Sequence, residues 1–113
     1  MYEYRATLIR VIDGDTVDAK IDLGFDVWIK KRIRLHGINA PESRTKNIEE
    51  KTLGLKSKAR LIELLEQNNN KFILESHGVG KYGRCIGVLL TGTIGEININ
   101  KTLLYEGYAK KYD

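Results

Sequence analysis

Hydrophobic and polar positions alternate through most of the first third of the chain, the period-two signature of strands with one buried face. Tyr4 to Asp13 is rich in β-branched and apolar residues, and Asp13-Gly14-Asp15 interrupts it with a turn signal. Val17, Ala19, Ile21 and Leu23 then share one face, while Thr16, Asp18, Lys20 and Asp22 share the other. After Gly24 the alternation resumes, with Val27, Ile29, Ile33 and Leu35 in one phase and Trp28, Lys30, Arg32, Arg34 and His36 in the other. Lys31 breaks the apolar phase, which marks a bulge or an edge position. Three successive strands in a curled antiparallel meander are predicted.

Gly37 to Asn47 reads as an ordered loop, because Pro41, the only proline, biases Ala40 away from helical angles. Leu55, Ala59, Ile62 and Leu65 then recur at helical spacing, widened by Leu61 and Leu64 and closed by Asn68-Asn69-Asn70. Lys71 to Ser76 and Arg84 to Thr91 read as two further strands, joined by the glycine-bearing segment from His77 to Gly83. Asn98 or Asn100 is placed to cap a short last helix containing Leu103 and Leu104, with Gly107 in an ending position. The expected fold is α+β, mainly β: a five-stranded OB-fold barrel with one long interposed helix and a short C-terminal helix. An SH3-like barrel has the same strand count, and the long helix between the third and fourth strands favours the OB arrangement.

At 113 residues the chain has room for one hydrophobic core, so residues 1–113 are expected to form a single domain. One cysteine, Cys85, excludes an intrachain disulfide and a multi-cysteine zinc site, and reads as a small buried residue. His36 and His77 lack metal-ligand spacing. The formal net charge of +4 favours an anionic partner. Neither a leader pattern nor an apolar run of membrane-spanning length is visible, so a cytoplasmic monomer is the expectation, or a secreted one if a leader has been removed.

Three short segments stand out: Val11-Ile12-Asp13-Gly14-Asp15-Thr16, Arg34 to Glu42, and Lys81-Tyr82-Gly83-Arg84. Their order and spacing resemble the staphylococcal nuclease (thermonuclease) family over nearly the whole chain. The resemblance implies an OB-fold barrel and calcium-dependent hydrolysis of single-stranded DNA and RNA to 3′-phosphate products. Residue by residue it makes Asp15 a carboxylate metal ligand, and it gives Asn39 and the Ala40 backbone carbonyl as further ligands. Asp13 becomes an outer-shell acid. Glu42 becomes the general base, Arg34 and Arg84 the phosphate-holding arginines, and Tyr82 and Lys81 substrate contacts. The family usually has Asp at the position of Asn39, so one negative charge is missing from the implied metal site.

The residue types suit that chemistry. Phosphodiester hydrolysis needs a cation, a base for water and rigid donors for the transition state. Oxygen ligands suit calcium, with magnesium or another divalent ion as the substitute. Arginine forks match phosphate oxygens and stay charged. Taken singly, each segment has a plainer reading: Asp13-Gly14-Asp15 as a hairpin turn, Asn39 to Glu42 as a solvated loop, the arginines as surface charges. The alternative function is a non-catalytic OB module that binds single strands. Simple alternation also puts Asp15 in the apolar phase and Arg34 in the polar one, so phase alone does not bring them together.

Overall fold

The computed structural model describes residues 2–112. Its strands are β1 (Glu3–Asp13), β2 (Thr16–Asp22), β3 (Trp28–Leu35), β4 (Ile38–Asn39), β5 (Lys71–Val79), β6 (Cys85–Thr91), β7 (Ile97–Asn98) and β8 (Lys110–Lys111). The helices are α1 (Ile48–Glu66) and α2 (Ile99–Tyr105). The main sheet runs β3-β2-β1-β5-β6-β7, and a β3–β6 pairing closes its first five strands into a barrel. Closure is parallel, Ile33 beside Cys85, Arg34 beside Ile86 and Leu35 beside Gly87, whereas the other barrel ladders are antiparallel. The five-stranded OB-type barrel and its two helices agree with the pattern of the sequence.

The alternating residues Val17, Ala19, Ile33 and Leu35 line the core with Leu74, Leu89, Leu61 and Leu65, all essentially inaccessible to water. Lys31 pairs in regular register with Ala19, so its break in the pattern marks an edge rather than a bulge. Register shifts lie in the β1–β2 ladder, between Leu8 and Arg10 and between Val11 and Asp13, and in the β5–β6 ladder between Ser76 and Val79. They add the curl that closure requires.

Three details differ from the sequence pattern. The buried stripe of α1 is Gly54, Ser57, Leu61, Leu64 and Leu65, while Leu55 and Ala59 are exposed. Small residues win because the first half of this helix lies against backbone instead of side chains. A Cβ on Gly54 would sit 2.3 Å from the Glu42 carbonyl oxygen, and one on Gly14 would sit 2.6 Å from the Ser57 Cβ. Second, β5 continues through His77 to Val79, past the expected end at Ser76. Third, the loop after Gly37 contains the two-residue β4, which pairs with β8 near the end of the chain.

Both helices start on asparagine caps: Asn47 accepts from the Glu50 amide and Asn98 from the Lys101 amide. Asn100 is buried instead. Its Oδ1 accepts from Leu89, and its Nδ2 donates to the carbonyls of His36 and Gly87, tying α2 to the seam where β3 meets β6. No helix among the described residues is long and apolar enough to cross a membrane.

Candidate functional site

Asp15 is buried, 6% exposed, in the tight turn between β1 and β2. A buried carboxylate must be compensated, and this one is. Its Oδ2 accepts from the Ala40 amide at 2.8 Å and lies 2.9 Å from Arg34 Nη1, and its Oδ1 accepts from the Thr16 hydroxyl at 2.9 Å. The phase conflict between Asp15 and Arg34 disappears at the barrel rim. Asp15 lies in the turn, one residue outside β2, and its carbonyl accepts from Leu35 N, so it faces the end of β3. Alternation governs residues inside strands, and a long side chain at a strand end can fold over the edge.

Arg34 gathers the loop around itself. Its Nη2 donates to the Ile38 carbonyl at 3.3 Å and to Asn39 Oδ1 at 3.1 Å, and its guanidinium carbon lies 5.3 Å from the centre of the Tyr112 ring. Asp15, Arg34, Asn39 and Ala40 thus form one connected cluster. Asp13 does something different. Its Oδ1 accepts from both the amide and the hydroxyl of Ser43, clamping the loop to the end of β1. Between these two anchors stands Glu42, whose amide donates to Glu50 Oε2 at 3.1 Å and whose side chain is exposed. Gly54 lets α1 approach close enough to press on its carbonyl.

Arg84 stands apart. It follows a single 3₁₀ turn, Lys81–Gly83, in which Tyr82 (φ 62°) and Gly83 (φ 70°) are left-handed. A tyrosine held there costs about 1–2 kcal/mol locally. Its exposed ring lies 5.8 Å from the Arg84 guanidinium carbon. The Arg84 Nε is buried with no hydrogen-bond partner. Strand pairing brings this loop to the same barrel rim, because Arg34 is paired with Ile86, two residues beyond Arg84.

The donor set allows a hard cation. Asp15 and Asn39 each have lone pairs beyond those their protein partners use, and all the oxygens are hard ligands. The set has only one carboxylate, and among the described residues no three His, Cys, Asp or Glu side chains group to hold a metal. His36 and His77 stack face to face with ring centres 4.2 Å apart, and His77 pairs with Glu75, an arrangement for packing rather than joint coordination. Sequence pattern missed Ser43, Glu50, Gly54 and Tyr112. Only the Asn47-x-x-Glu50 cap signature hinted at one of them.

Residues 32–113 match the family described as staphylococcal nuclease homologue. The chain is 28% identical over 116 residues to a micrococcal nuclease of Shigella flexneri, covering 97% of this chain and 59% of that protein. It is 26% identical over 116 residues to Protein ParB of Escherichia coli, covering 97% of this chain and 58% of that protein. The chain therefore spans a little under three fifths of the length of these relatives. Because the family match extends over well more than half of the residues and includes Arg34, the loop to Glu42 and Arg84, the chain belongs to the staphylococcal nuclease homologue family.

Proposed function

We propose that the chain is a calcium-dependent nuclease that hydrolyses phosphodiester bonds of single-stranded DNA and RNA to 3′-phosphate products at the rim formed by Asp15, Arg34, Asn39, Glu42 and Arg84. The observation that carries this reading is the buried Asp15 carboxylate bound at once to Arg34 and to the backbone of the loop that bears Glu42. A barrel needs no such charged cluster for stability, since a buried ion pair rarely outweighs an apolar replacement.

In this reading Asp15, the Asn39 amide oxygen and the Ala40 carbonyl would hold the cation, with Asp13 behind them. When bound, calcium supplies positive charge that offsets repulsion between the phosphate and its attacking water. The exposed Glu42 carboxylate takes the proton from that water; its amide is held by Glu50, its carbonyl packs on Gly54, and its neighbour Ser43 is clamped by Asp13, which together fix where it stands. Arg34 and Arg84 hold the nonbridging phosphate oxygens as charge builds on them. Lys81 and Tyr82, on the turn before Arg84, flank the bound nucleotide. General-base action is worth about 10²–10⁴ in rate, well short of the acceleration such inert bonds demand, so the arginines and the cation carry most of the barrier reduction.

Labelled single-stranded DNA incubated with the protein in calcium, magnesium or chelator tests this. Cleavage in calcium, silence in chelator and a roughly 10²–10⁴-fold slower Glu42→Gln variant are expected. Intact substrate in every metal from neutral to mildly alkaline pH, or equal cutting by the variant, overturns the reading.

A further inference from the structure

Trp28, Lys30, Arg32 and Arg34 occupy alternate positions of β3, on one face of the strand. Such positions are spaced about 6.6–6.8 Å apart, comparable to one nucleotide of an extended single strand. Beside them Lys20 pairs with Lys30, Asp18 pairs with Arg32, and Arg10 on β1 pairs with Asp18. Asp18 accepts from Arg10 Nε at 2.9 Å and from Arg32 Nε at 2.8 Å. Arg32 first and Arg10 after it hold the Asp18 carboxyl below its ordinary range, partly opposed by burial. One carboxylate thus fixes the splay of two guanidiniums and neutralises only one of their charges.

Two shallow depressions lie on this face. One, of about 500 Å³, is lined by Ile9, Arg10, Asp18, Lys30, Lys31 and Arg32. The other, of about 220 Å³, is lined by Arg10, Val11, Ile12, Arg32, Arg44 and Lys58. Shared arginines make them one strip, in which six cations face one carboxylate. That surplus exceeds the +4 of the whole chain, so the remainder of the molecule is not basic at all. An ordinary solvated face mixes both signs. On the other side of the Pro41–Asn47 loop, the depression lined by Asn39, Asn47, Glu49 and Glu50 has Lys110 as its only cation. A phosphate chain leaving Arg34 toward Arg32 therefore meets continuous favourable charge, whereas one leaving toward Glu49 and Glu50 does not. At the far end Trp28 is 46% exposed, with Lys20 Nζ 5.5 Å from its ring centre, a surface on which a base can stack.

We infer that this strip is an extended track for single-stranded nucleic acid, with phosphates beyond the cleaved bond lying over Arg32, Lys30, Lys31, Arg10, Arg44 and Lys58 and a base stacked on Trp28. The register of the track rests on the nuclease reading; its affinity for a strand does not. Arg44 joins the two, since it stands two residues after Glu42 and next to Ser43, which Asp13 clamps.

Fluorescence anisotropy on Glu42→Gln protein tests the track with a labelled oligodeoxythymidine long enough to reach Trp28, using a dinucleotide as the internal reference. Adding Lys30→Gln, Lys31→Gln and Lys58→Gln should weaken the long strand at least tenfold relative to the dinucleotide. It should also reduce the salt slope by about two, at about 0.7 for each phosphate that is no longer neutralised. The same three positions changed to arginine should restore both. Trp28→Ala should weaken the long strand about tenfold. Unchanged long-strand affinity and salt slope in the triple glutamine variant overturn the track, whether or not the protein cleaves. Long-strand binding that responds as expected, with no cleavage by the unaltered protein, overturns the nuclease reading and leaves the track standing.

Discussion

Arg34 donates to the Ile38 carbonyl and the Asn39 amide oxygen, pairs with Asp15 and lies against Tyr112. Arg84 has its Nε buried without a partner, and among the described residues no hydrogen bond or ion pair reaches its guanidinium. The difference matters because only interactions stronger in the transition state than before it speed a reaction. Three of the five N–H groups of Arg34 already hold Ile38, Asn39 and Asp15, so much of its strength goes into shaping the loop. Arg84 has no polar partners to give up. In the proposed mechanism Arg34 builds the site and Arg84 supplies the larger differential stabilisation of charge.

The bracing around Arg34 can be broken from a distance. Gly54→Ala would bring a Cβ to 2.3 Å from the Glu42 carbonyl. Alanine in a helix interior should gain up to about 1 kcal/mol over glycine, but overpacking against backbone costs about 1–3 kcal/mol. A net loss of stability is expected, together with a drop in cleavage rate larger than the stability loss explains, because Glu42 must move. Thermal melts and kcat measured together check it. A more stable and fully active variant would mean that the loop is not held as described.

A smaller change sharpens the contrast. Asn39→Asp adds a charged partner to Arg34 and a second carboxylate to the proposed cation site. The calcium concentration needed for half-maximal activity should fall several-fold, and a calcium titration by calorimetry should show the same shift without substrate. An unchanged requirement would count against Asn39 as a ligand.

The barrel was legible in the sequence because β2 and β3 each bury one face, and a period of two announces that directly. Helix α1 was legible in extent but not in facing, since Gly54 and Ser57 mark its packing surface by being small, and hydrophobic pattern does not register small residues. Asp15 and Arg34 were singled out by residue type and spacing, yet their meeting depends on a turn and a strand end, where alternation no longer applies. Ser43, Glu50 and Tyr112 act through a few hydrogen bonds or one ring contact made across the fold. Apart from the cap signature at Glu50, nothing in their immediate sequence signals that. The basic strip was present in the sequence only as net charge; register across β1, β2 and β3 is what collects it on one face.

The most direct test sets Arg34→Ala beside Arg84→Ala, reading single-turnover cleavage of a labelled single strand in calcium and the thermal midpoint of each protein. Both should lose cleavage rate by about 10²–10³, with Arg84→Ala the more impaired of the two. Arg34→Ala should also lose about 1–3 kcal/mol of stability, because it strips a buried carboxylate of a donor, while Arg84→Ala, which removes an unsatisfied buried nitrogen, should melt close to the parent. A full cleavage rate in Arg84→Ala, or equal destabilisation of the two variants, would contradict the account.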